Sequence, residues 1–163
     1  FLGLDPGRNK AGWALVGRNG GLILSGLFPV SETEAFLEVW FCPAKDWERG
    51  LAAWTVERRF PVPGSGEGVE CAVLGDGTGS REMAEVLRRM GFRTKLVDER
   101  GTTLAAQKLY WALHAPRWWQ CCLPRFMRFP PRSVDDLAAW AVVLRSFGLS
   151  LEELRQKAAR LKD

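Results

Sequence analysis

Histidine, tyrosine and long apolar runs are what this chain has least of. One histidine, His114, and one tyrosine stand among 163 residues, and the four cysteines, Cys42, Cys71, Cys121 and Cys122, show no C-x-x-C spacing. Zinc sites are built from clustered Cys and His, so this ligand supply argues against zinc. The adjacent Cys121 and Cys122 do not make an ordinary bridge, and the cysteine usage points to a reducing, cytoplasmic compartment. No stretch approaches the roughly 18 apolar residues that span a bilayer, and no signal-peptide pattern is visible, so no membrane association is expected. A formal charge of +4 and a pI near 9.1 permit nucleic acid as a partner without requiring it. With 47% hydrophobic residues, the expectation is one domain over residues 1 to 147, with a helix over 148 to 163 appended to it.

What is present starts with FLGLDPGRNKAGWALV, residues 1 to 16. An apolar run ends at Asp5, the turn formers Pro6 and Gly7 follow, and a second run opens at Trp13. The pair reads as a hairpin across a polar loop carrying Arg8, Asn9 and Lys10. Asp5 is either a turn aspartate bonding its own backbone or a metal-binding carboxylate held on a rigid strand. The choice depends on whether other carboxylates are brought to the same place.

Gly20-Gly21 and the apolar residues after it predict a third antiparallel strand. Ser31 and Glu34 have capping-box spacing, so a short helix is expected from Ser31, and a longer one over 44 to 59 with Trp47, Leu51 and Trp54 on one side. Residues 60 to 68, FPVPGSGEG, form a connector. A strand over 69 to 74 then leads into GDGTGS and a helix with Ser80 as N-cap and Met83, Val86, Leu87 and Met90 as its buried stripe. That loop is either a simple turn or a source of backbone N–H groups for a phosphate. The strand over 92 to 97 delivers Glu99 just before a helix capped by Thr102 or Thr103. Glu99 is either solvated beside Arg100 or a second strand-end carboxylate comparable to Asp5.

Residues 115 to 132, APRWWQCCLPRFMRFPPR, hold four arginines, two tryptophans, two phenylalanines and no acid. That mixture suits phosphate contact and stacking on unpaired bases, and equally suits a protein interface. Ser133 then caps an apolar helix over 134 to 147, whose first turn carries Asp135 and Asp136; these serve the helix dipole if nothing else.

The assembled order is three antiparallel strands, helix, strand, helix, strand, helix, loop, helix. It predicts an α/β fold with a central mixed five-stranded sheet, three antiparallel strands followed by two parallel ones, flanked by helices. Three stretches carry a family resemblance. LGLDPGRNKAGWALV resembles the opening strand pair of the RuvC and YqgF (RuvX) proteins, VDERGTTLAA is similar to the YqgF signature V-D-E-R-L-T-T-x-x-A, and VDDLAAWAVVL is similar to that family's closing helix. The compact GDGTGS loop departs from the family pattern, which is longer there and carries Leu-Pro.

The resemblance implies a ribonuclease H-like fold and a nuclease in which Asp5, Glu99 and Asp135 or Asp136 bind Mg2+ or Mn2+. It implies a nucleic-acid partner, either RNA such as an rRNA precursor or branched DNA, and a monomer or homodimer. Expected nucleic-acid contacts are Arg8, Lys10, Gly77, Thr78, Arg100 and Thr102, with Arg117, Trp118, Trp119, Arg125 and Arg128 in the basic, aromatic segment. A Holliday-junction resolvase-like DNA endonuclease and a non-catalytic nucleic-acid-binding module are the alternatives. The lack of His and Cys clustering suits a hard cation held by oxygen.

Overall fold

A computed structural model describes residues 1–60, 62, 68–116, 118, 122, 124, 127–149 and 153. Its centre is a mixed sheet of six strands: β1 (Leu2–Pro6), β2 (Lys10–Val16), β3 (Leu22–Pro29), β4 (Thr55–Arg58), β5 (Ala72–Gly75) and β6 (Thr94–Val97). Their spatial order is β4-β3-β2-β1-β5-β6. The first four strands pair antiparallel, while β5 lies parallel to both β1 and β6. Among the described residues the α-helices are α1 (Thr33–Glu38), α2 (Ala44–Gly50), α3 (Ser80–Arg89), α4 (Thr102–Leu113) and α5 (Asp135–Ser146).

The sixth strand corrects the five-stranded expectation. The helix expected over 44 to 59 stops at Gly50, and Thr55–Arg58 adds an edge strand to β3. Tertiary packing overrides the helical spacing here: the Trp54 carbonyl approaches Gly26 where any Cβ would collide, and it accepts the Leu27 amide at 2.9 Å. The predicted caps also shift. Ser31, Ser80, Thr102 and Ser133 make no side-chain cap bond; Gly79 and Gly101 occupy the N-cap positions of α3 and α4 in left-handed conformation. A glycine adopts that conformation without a Cβ penalty, which a threonine does not. The helix expected over 148 to 163 lies, apart from 148, 149 and 153, outside the described residues.

Two packed layers follow from the alternation of side chains along the strands. One face of the sheet carries Leu2, Leu4, Ala11, Trp13 and Leu15, which pack with Phe36, Trp40, Trp47, Met83 and Leu87 from α1, α2, α3 and the connecting turns. Trp13, Trp40 and Trp47 are buried on this face with Trp54 packed against them, and Trp40 meets Trp13 and Phe36 edge to face within 6 Å while Trp13 and Phe36 pack tilted. The other face carries Ala14, Val16 and Val73 against α4 and α5.

On this second face Gly3 and Gly12 take the places where side chains would stand. A Cβ on Gly3 would strike the Ala139 carbonyl, and one on Gly12 the Asp135 carbonyl, so the α5 backbone rests directly on β1 and β2. Gly12→Ala should therefore cost about 1 to 3 kcal/mol in urea denaturation, because α5 must lift from the sheet. A variant within about 0.5 kcal/mol of the parent, the usual range for a neutral surface change, would show that α5 is not held there.

Candidate functional site

Asp5 is the last but one residue of β1 and points to the α5 face, on the same side as Gly3. Its antiparallel partner is Gly12, over which Asp135 sits through its backbone. On its other side, continuing the register Gly3↔Val73 and Leu4↔Leu74, comes Gly75. A Cβ on Gly75 would stand 3.0 Å from Glu99 Oε2, so the Glu99 carboxylate lies over that glycine. Asp5 is thus flanked by two residues without side chains; the Glu99 carboxylate lies over one, the Asp135 backbone covers the other, and both carboxylates are near enough to repel Asp5. Positions 5, 99 and 135 of the sequence meet at one end of the sheet.

The electrostatics agree with this placement. Burial, then repulsion from Glu99 and Asp135, pushes the Asp5 carboxyl up to about 7. Glu99 is also raised, first by burial and then by Asp76 and Asp98, with partial relief from a hydrogen bond donated by the Gly77 amide. Asp135 behaves oppositely. Burial alone would raise it, but Lys10 and the Ser133 hydroxyl hold it below the usual carboxylate range. Lys10 Nζ lies 2.8 Å from Asp135 Oδ2 and 3.0 Å from Ser133 Oγ.

Asp136 is not part of this cluster. It is fully buried, its Oδ2 accepts from Ser25 Oγ at 2.8 Å, and Arg132 donates to both of its oxygens, at 2.7 and 3.2 Å. Arg132 also donates to Glu57 Oε1 at 2.9 Å, and His114 Nε2 reaches the same oxygen at 2.7 Å. Burial would raise Glu57, but Arg132, His114 and Arg59 outweigh it and lower the group. Glu57 therefore ties residues from both ends of the basic, aromatic segment to the edge strand β4. The doublet Asp135-Asp136 separates into one residue facing Asp5 and one anchoring the start of α5.

Other expected site residues fall in several places. Arg8 is exposed on the β1–β2 loop, and Thr78 is exposed on the β5–α3 loop. Arg100 is exposed beside Asp98. Thr102 is buried at the start of α4, and the Gly77 amide is engaged by Glu99. Lys10 is committed to Asp135 rather than presented freely. Trp118 is 84% exposed, and the Arg128 carbonyl accepts the Trp111 indole N–H at 3.2 Å. Arg117, Trp119 and Arg125 lie outside the described residues.

Two positioning residues emerge only from the structure's contacts. Asp76 Oδ1 accepts the Glu99 amide at 2.9 Å, and Arg145, on α5, donates to the carbonyls of Asp98 and Arg100 at 2.6 and 2.8 Å. Together they fix the turn that presents Glu99. The GDG spacing hints at Asp76; nothing in the sequence pairs Arg145 with a loop 45 residues away.

The donor set contains only oxygen, which suits Mg2+ or Mn2+. The raised Asp5 is the kind of carboxyl whose charge a cation would restore. As the side chains stand, no group of three or more His, Cys, Asp or Glu among the described residues is arranged to hold a metal. A cation would have to draw Asp135 from Lys10. Among the described residues no helix is long and apolar enough to cross a membrane. Comparisons of the chain with protein-family models, curated proteins and solved structures gave no match.

Two measurements test these assignments. Arg132→Met should cost roughly 3 to 5 kcal/mol of stability, because it leaves the Asp136 charge buried without its partner, whereas Asp135→Asn should change stability little. Equal losses from the two variants would contradict the division of the doublet. For Asp5 the folded pKa lies above the ordinary carboxylate value, so the native state holds the extra proton between about pH 4 and 7 and loses stability as pH rises through that window. In metal-free buffer Asp5→Asn should abolish this loss, with melting curves of parent and variant converging at pH 4 and separating by pH 8.

Proposed function

We propose that this protein hydrolyses phosphodiester bonds in nucleic acid, with a divalent metal held by Asp5, Glu99 and Asp135. The observation that carries the reading is that Glu99 and Asp135 flank Asp5 at one end of the sheet, where burial and their repulsion hold its carboxyl away from its charged form. Strand order supports it: apart from the added edge strand β4, three antiparallel strands followed by two parallel ones is the order of the ribonuclease H-like fold that the sequence resembles. We assign the ligand role to Asp135 and a structural role to Asp136.

When bound, divalent metal would neutralise charge on the phosphate and lower the pKa of a bound water. The protein's own part is to hold the carboxylates in place. β1 fixes Asp5, Asp76 and Arg145 fix the Glu99 turn, and the Asp136 and Arg132 pair fixes the start of α5 from which Asp135 projects. Lys10, now paired with Asp135, would be the cation nearest a phosphate if Asp135 were engaged by a metal. RNA and branched DNA are both accommodated by this reading.

The second reading, a binding module without catalysis, is favoured by one observation: Lys10 already neutralises Asp135. The two separate experimentally. On the hydrolytic reading Mg2+ or Mn2+ raises the melting temperature of the parent and not of Asp5→Asn, and Asp5→Asn abolishes cleavage while leaving oligonucleotide affinity in metal-free buffer nearly unchanged. No metal-induced shift, and no metal-dependent cleavage of junction DNA, single-stranded RNA or an rRNA precursor, would leave the binding module.

A further inference from the structure

A groove of about 540 Å³ opens on the opposite face of the sheet from the three carboxylates but at the same end of the strands. That volume falls within the roughly 300 to 1,000 Å³ of small-ligand sites. Asp5 and Pro6 are consecutive strand residues, so Asp5 faces the carboxylate cluster while Pro6 faces the groove. The ridge between them has glycine backbone at its centre. It is formed where the β1–β2 and β5–α3 loops touch: a Cβ on Gly79 would lie 3.4 Å from the Gly7 carbonyl and 3.8 Å from Pro6 Cβ, and Gly79 has φ +84°. Any other residue at Gly79 would be strained in the backbone.

We propose that this groove is a subsite for one unpaired nucleobase, adjacent to the phosphate presented to Asp5, Glu99 and Asp135; the inference rests on the nucleic-acid reading given above. A strand leaving the carboxylates crosses the bare Gly7 and Gly79 ridge and reaches the groove within a short distance. Pro6, Val30, Met83 and Val86 give the groove an apolar lining, suited to the face of a base. Arg8 and Thr78, both exposed, stand at the groove where the backbone phosphate would pass.

The carboxylates in the lining choose among occupants. Glu34 is held by Arg89 in an ion pair, while Glu82 is exposed on the first turn of α3. With Glu34 answered by Arg89, Glu82 and Arg8 balance in the lining, so the groove carries no excess positive charge to draw a free nucleoside triphosphate. A carboxylate instead accepts hydrogen bonds from the exocyclic amino group of adenine, cytosine or guanine. The base must be unpaired, because in a duplex its faces are covered by stacking and its Watson–Crick edge by the partner strand.

The test uses the full chain carrying Asp5→Asn, with fluorescence anisotropy in metal-free buffer on oligoadenylate, oligouridylate and an abasic strand of equal length. Ser31, exposed on the groove wall, is changed to Trp to fill it, Val86→Trp serves as an independent filling variant, and melting curves confirm that each folds. Filling should weaken oligoadenylate binding about tenfold, in the range of one lost base stack, with the salt dependence and the affinity for the abasic strand unchanged. Glu82→Gln should reduce the preference for oligoadenylate over oligouridylate. If both filled variants keep the parent's ratio of oligoadenylate to abasic affinity, the groove holds no base and the proposal falls, while the carboxylate reading stands. If the parent binds none of the three strands, the nucleic-acid reading falls and this proposal with it; capture of a peptide by the groove in such a protein would assign it to a protein partner instead.

Discussion

The direct seating of a helix backbone on two strands, without intervening side chains, is the constraint from which the rest of this site follows. Gly3 and Gly12 let α5 approach β1 and β2 until its carbonyls would touch any added Cβ. Close approach delivers Asp135 next to Asp5, whose strand partner is Gly12. A bulkier pair of residues would hold α5 farther out and separate the carboxylates. Interiors pack at crystal-like density and do not absorb such a change gradually.

Once α5 is seated, the two charge systems at its start diverge. Around Asp136 every charge is answered: Ser25, Arg132, Glu57 and His114 form a chain of hydrogen bonds across β3, β4, α4 and the approach to α5. A buried carboxylate is tolerable only under that condition. Around Asp5 the opposite holds, since Glu99 and Asp135 add repulsion to burial and no cationic side chain lies among the causes of its shift. Charge imbalance confined to one end of the sheet, beside a fully compensated network, marks the Asp5 end as the place where an external cation would gain most.

The elements were largely legible in the sequence because they rest on local chemistry. Apolar runs broken by turn residues located β1, β2 and β3, and the stripe of Met83, Val86, Leu87 and Met90 located α3. The strand at Thr55–Arg58 was not legible: Trp47, Leu51 and Trp54 continue a helical spacing, and only the fit of the Trp54 carbonyl against Gly26 ends it. Expected side-chain caps failed for a related reason, since Thr102 is drawn into the core and Ser133 turns toward Lys10.

Sequence by itself determined that Asp5 and Glu99 stand at strand ends and that an acidic pair opens the last apolar helix, because strand ends and helix starts are written in turn residues and periodicity. It carried no information on which member of that pair faces Asp5. Consecutive helix residues differ by about 100° around the axis, so the seating of α5 on Gly3 and Gly12 sends Asp135 toward Asp5 and Asp136 toward Ser25. The same holds for Asp76 and Arg145, which meet the Glu99 turn from 23 and 45 residues away. Contacts between residues so far apart are fixed by the packing of the finished sheet and helices, and only the tertiary structure decided them.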